Sequence, residues 1–192
     1  VNLPPPNWHT LSSLLIKESH KKRLPMRIIF CLFPEIDYAK KAIENLLQAG
    51  FNEEEMNCIV QEAMAKEYLK IQSNDLSYQK GTEQEKIRGL KRLFGGQQPV
   101  NVSDTGRIYV AGTVATTMVG VAVEQPVKGL ESALKEFGLP AEIARKYIDG
   151  VSEGALLFWS RADENKSGDV ILIMERFLAS DIATVSPGLP TR

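Results

Sequence analysis

The chain has 192 residues, of which 43% are hydrophobic and 24% charged, with a formal net charge of −1. That length suits one domain with an extension, large enough to bury a core without a metal or disulfides. The balanced charge excludes a dedicated nucleic-acid binder, which carries a basic excess, and the count of 2 cysteines excludes a disulfide scaffold.

Residues 1–25 read as a disordered basic tail. Lys17, Lys21, Lys22 and Arg23 stand against the single acid Glu18, so the tail carries +3 and the remainder −4. Four charges beside no apolar face make a solvated segment rather than a membrane anchor. Pro4-Pro5-Pro6 favours an extended chain, and Leu14-Leu15-Ile16 is too short for the core of a signal peptide. Order is expected from Met26, and a native product starting there would lack the tail. Both histidines, His9 and His20, lie in it. A Ser-His-Asp or Cys-His site within 26–192 is therefore excluded unless the tail docks back.

From Met26 the elements follow in order. MRIIFCLF is a near-continuous apolar run of β-formers and reads as a buried strand ended by Pro34. EIDYAKKAIENLLQAGF then sets Ile36, Ala39, Ile43, Leu46 and Leu47 on one helical stripe, with Gly50 at a left-handed cap. Glu53-Glu54-Glu55 makes a solvated link, and NCIV (57–60) reads as a strand. EAMAKEYLKI (62–71) and EQEKIRGLKRLF (83–94) read as helices, and GGQQPVNVSDTG (95–106) as a loop by composition. Pro126 opens a helix running to Gly138. Pro140 opens another, with a stripe of Ala144, Tyr147, Ile148 and Val151 and a stop at Gly154. ALLFWSR (155–161) is a strand with Leu157 and Trp159 on one half-buried face. A polar turn leads to a helix striped by Val170, Ile173, Met174, Phe177 and Leu178, and DIATV (181–185) closes as a strand.

Strand–helix–strand thus occurs twice, at 27–61 and 155–185. The expected fold class is α+β: a ferredoxin-like split βαβ core of these two units, within a single domain at 26–186, with a flexible C-terminus at 187–192. The segment 62–154 is a mainly helical insertion. In such a core the third strand separates the first two, so Cys31 and Cys58 are too far apart to bridge. They read as small buried apolar residues, and no metal or cofactor is expected.

Sixteen residues between Arg107 and Glu124 carry no charge. As a helix they would span about 24 Å against roughly 30 Å of bilayer hydrocarbon, too short to cross. No phosphate-loop pattern is present. If the run is helical, Gly112, Thr116 and Gly120 recur every four residues and offer a smooth contact face. If it is extended, RIYVAG is a short strand before a turn. Both remain open, with burial inside the domain or at a subunit contact expected in either case.

Candidate ligand-binding residues are few. Arg161 and Asp163 follow a strand, with Glu164 and Lys166 close behind, and Arg145 lies on the preceding helix. Such a set at a strand end could hold an anionic metabolite. The plainer reading has Asp163 or its neighbour capping the next helix and Arg161 in a surface ion pair. The carboxylates form no pair of the kind glycoside chemistry needs, and no catalytic constellation is expected.

Two stretches carry a resemblance. MRIIFCLFPEIDYAKKAIENLLQAGF resembles the opening of the general stress protein 17M-like, heat-induced stress protein family, with its AxxAIxxLxxAGF helix. FGLPAEIARKYIDGVSEGALLFWSRAD is similar to that family's second landmark, GLPxxxAxxYxxGVxxGxxLxxxRAD, and GRIYVAGTVATTM to the small-residue segment before it. The middle zone is shorter here than is usual in the family and is interrupted by EKIRGLKRLFGGQQPVNVSD. The resemblance implies a stress-associated bacterial protein with no agreed activity and no catalytic residues to carry over. The leading expectation is a non-enzymatic cytoplasmic protein acting through self-association or partner contacts, a homo-oligomer with Gly112, Thr116 and Gly120 in its contact surface. A sensor of a small anionic metabolite stands second, and a peripheral membrane protein third.

Overall fold

A computed structural model describes residues 25–69, 89–94, 97, 99–112 and 129–186. Its strands are β1 (Met26–Phe33), β2 (Met56–Gln61), β3 (Val100–Val102), β4 (Gly106–Ala111), β5 (Leu156–Asp163) and β6 (Ser180–Val185). Its helices are α1 (Ile36–Gln48), α2 (Glu62–Tyr68), the short α3 (Leu90–Leu93), α4 (Leu130–Glu136), α5 (Ala141–Ser152) and α6 (Glu164–Arg176). The fold is α+β. The strands form one sheet in the order β3-β4-β2-β5-β1-β6, antiparallel throughout.

The sheet is covered on both faces, which explains the unbroken apolar run of β1. Ile29, Cys31 and Phe33 face the layer of α1, α2 and α6. Ile28, Phe30 and Leu32 face the layer of α4 and α5. A strand buried on both sides has no polar face to alternate with. Helix α1 buries Ile36, Ala39, Ala42, Ile43 and Leu46, and Gly50 closes it at φ +84°. Helix α5 buries the predicted stripe of Ala144, Tyr147, Ile148 and Val151. The acidic link after α1 is a 3₁₀ turn at Glu53–Glu55, capped by the Asn52 side chain, which accepts from the Glu54 amide at 3.1 Å.

Strand β5 lies between β1 and β2, and Phe158 is the register partner of both Cys31 and Cys58. The cysteines are therefore two strand spacings apart, about 9–10 Å, and are free and buried. A disulfide needs Cα atoms roughly 4.4–6.8 Å apart.

Three expectations need correction. The stretch 95–106, read as a loop, holds β3 and the hairpin turn into β4, so the insertion extends the sheet as well as supplying helices. Asn, Ser, Asp and Gly make up half of that stretch; Ser103 and Asp104 keep the turn, while the pairing of Val100 and Val102 with β4 draws Asn101 into a strand. Leu178 is no part of the α6 stripe: it follows the helix in a left-handed conformation at φ +58° and is 60% exposed. Trp159 is buried to 1% exposure rather than half-buried, because α4 and α5 cover its face and Phe137 of that layer lies 6.2 Å away. Of the uncharged run, residues 108–111 are the end of β4 and Gly112 a bend. Thr116, Gly120 and the tail 1–24 lie outside the described residues, as does 187–192.

Candidate functional site

Register and helix position decide what each singled-out residue meets. Arg161 stands on the exposed end of β5, and its Nε lies 3.5 Å from Glu55 Oε2, in the 3₁₀ turn before β2. Asp163 is the N-cap residue of α6, but its side chain makes no capping hydrogen bond. Glu164, next in sequence, pairs with Arg27 of β1, and the Ser167 hydroxyl donates to the Glu164 carbonyl at 2.7 Å. Arg145 lies on α5, 70% exposed and 4.0 Å from Glu131 of α4. Lys135 hydrogen-bonds Glu131 and holds its carboxyl below the usual range, and Arg145 adds to that field. Among the described residues no hydrogen bond or ion pair joins Arg145, Arg161 and Asp163. Arg145 and Arg161 belong to separate surface pairs, with Glu131 and Glu55.

Among the described residues, the recesses open to solvent include two beside these helices. A groove of about 600 Å³ lies between the end of α1 and α6, lined by Ala49, Phe51, Lys166, Leu172, Ile173 and Arg176 among others. A smaller recess of about 360 Å³ lies where α5 meets the start of β6, lined in part by Leu32, Asp149, Gly150, Glu153 and Asp181. Neither includes Arg145, Arg161 or Asp163. Among the described residues no group of His, Cys, Asp and Glu is arranged to hold a metal ion, and no helix is long and apolar enough to cross a membrane.

Gly112 turns the chain out of β4 at φ +96° against the start of β2. A Cβ there would lie 2.3 Å from Asn57 Oδ1 and 2.4 Å from the Met56 carbonyl oxygen. The glycine is required by backbone contact within the sheet, not by a helical face.

The β6 side of the molecule differs from the rest. Strand β6 is the last in the sheet, and among the described residues no strand pairs with its outer edge. Ile182, Ala183 and Val185 are half-buried, packed against the two cores from the sheet's rim. Asp181 is its one charged residue. Leu178, two residues before the strand, is one of the large apolar side chains left exposed. The corner is held by Tyr147 of α5, whose hydroxyl donates to the Asp181 carbonyl at 2.6 Å. Burial pushes that phenol above its ordinary pKa, so it stays a donor. Asp181 itself adopts φ +50°, which an Asp tolerates better than most residues.

Sequence reasoning missed this edge. Nothing in SDIATV distinguishes an outer strand from an inner one, because position in a sheet is decided by the pairing of distant segments. It also missed Asp104, in the β3–β4 turn, whose carboxylate accepts from the amides of Leu130 (3.0 Å) and Glu131 (3.1 Å) at the start of α4. An acid in a turn followed 26 residues later by a helix start carries no local signature.

Compared with protein-family models, with curated proteins and with solved structures, the chain gives no match.

Proposed function

We propose that this chain is a non-enzymatic, stress-associated bacterial protein that acts in the cytoplasm through self-association or contact with a protein partner. The family reading, general stress protein 17M-like, rests on the two sequence landmarks described above. We read the four strands β2-β5-β1-β6 as a ferredoxin-like core. Their order, and the passage of α1 and α6 over one face, support that reading.

The observation that carries the function is the outer edge of β6, with one charge in six residues, apolar side chains half-covered, and the exposed Leu178 beside it. A sheet edge with free backbone donors and acceptors pairs with another chain unless it is blunted. The ligand-sensing alternative is weakened because Arg145 and Arg161 pair with different acids, Glu131 and Glu55.

Size-exclusion chromatography with light scattering tests the reading on the full chain without detergent. A defined oligomer, or a monomer that captures a specific partner, is expected. A strict monomer at the highest attainable concentration, with no partner, would overturn it.

A further inference from the structure

We infer that α6 is the contact face for a second copy of this chain, the two α6 helices lying antiparallel about a twofold axis between Leu172 and Ile173. This rests on the association reading above and places self-association on a face separate from the β6 edge.

The face is one side of a helix. Val170 and Met174 turn into the core. Asp169, Leu172 and Arg176 follow one another at spacings of three and four, so they share the other side. Leu172 is 64% exposed, the most of the large apolar side chains described. It borders the groove of about 600 Å³ in which Ala49, Phe51 and Ile173 add apolar surface. Gly168, also exposed, has nothing within 4 Å of where a Cβ would stand. A glycine inside a helix costs stability, and no contact within its own chain calls for this one. Close approach by a second helix does.

Charge commits the face to a second copy. Among the described residues, the Asp169 and Arg176 side chains enter no ion pair or hydrogen bond. They stand seven residues apart, about 10.5 Å along the helix, too far to pair with each other. They are also equally distant from the proposed axis. An antiparallel pair therefore sets Asp169 of each copy level with Arg176 of the other, twice by symmetry. Leu172 meets Leu172 and Ile173 at the centre, and Gly168 leaves room beside the incoming guanidinium. A parallel pair would set Asp169 beside Asp169 and Arg176 beside Arg176. Sliding the antiparallel pair by about one turn would set Asp169 opposite Leu172 and lose both ion pairs. Because the same patch serves both copies, the contact closes as an isologous dimer.

Charge reversal tests the pairing, by sedimentation velocity on the full chain. Asp169→Arg and Arg176→Asp each set like charges across the axis twice, and each should raise the dimer dissociation constant about 10- to 100-fold. An equimolar mixture of the two variants should return the constant to the wild-type range, because arginines on one copy then meet aspartates on the other. Leu172→Ala, which trims exposed surface without touching the core, should weaken the dimer about 10-fold. All three should match wild type in circular dichroism. A wild-type dimer that neither reversal weakens, or one weakened with no recovery in the mixture, overturns the α6 pairing and leaves association by another surface. A monomeric wild type, as when another segment of the same chain fills the groove, also overturns the pairing. If that monomer captures no specific partner, the association reading falls with it.

Discussion

Tyr147 shows how one hydroxyl on a core residue joins two elements. Its ring stacks with Phe30 at 6.1 Å while its oxygen reaches the Asp181 carbonyl at 2.6 Å. Tyr147→Phe keeps the packing and leaves that carbonyl unpaired, so chemical denaturation should show a loss of about 1 kcal/mol. The same region sets an alkaline limit on stability. Burial raises the Cys31 and Cys58 thiols and the Tyr147 phenol in the folded state. Each folded pKa lies above its unfolded value, so the folded chain retains protons that the unfolded chain has released. Stability is therefore complete below the unfolded thiol range, near pH 8.5, and falls as pH rises, more steeply above about 10 where the unfolded phenol also ionises. Urea midpoints measured across that range should decline, and Cys58→Ala should flatten the first part of the decline. A midpoint constant to pH 10 would show that the thiols are open to solvent.

At the scale of elements, two contacts fix how the insertion meets the sheet. Asp104 caps α4 from the β3–β4 turn, so Asp104→Ala should cost about 1 kcal/mol, read as a lower melting temperature with the sheet signal retained. Gly112 has the opposite sensitivity, to added atoms. Gly112→Ala must place a Cβ against the Met56 carbonyl and the Asn57 side chain at a positive φ. Strain and clash together should cost more than about 2 kcal/mol, visible as a large drop in the urea midpoint. A Gly112 variant thus tests folding, not assembly. Small-residue spacing suggested a contact face because a glycine on a helix and a glycine under a neighbouring strand look the same in one dimension.

At the scale of the whole molecule, the sheet is the middle of three layers. Phe30, Trp159 and Phe137 join β1, β5 and the α4–α5 layer in one aromatic cluster, with Phe30 and Trp159 stacked at 5.5 Å. A layer whose core is shared with the sheet cannot detach without exposing Trp159. In Trp8→Phe, where Trp159 is the one remaining reporter, fluorescence and circular dichroism should therefore follow a single coincident unfolding transition. An earlier fluorescence transition would mean that α4 and α5 form a separable cover.

Local chemistry determined much of this protein. The run MRIIFCLF, the stripe of α1, the stripe of α5 and the capping Gly50 each depend on residues within a few positions of one another, and burial follows their periodicity. The two strand–helix–strand units were legible for the same reason. The tertiary structure alone decided where strands lie in the sheet, which made β6 an edge and set Phe158 between the cysteines. It also decided that Asp104 caps a helix far along the chain, that Arg145 and Arg161 go to different acids, and that 100–102 is a strand. Those outcomes depend on pairing between segments distant in sequence, and pairing energy is a property of two segments together that neither carries alone.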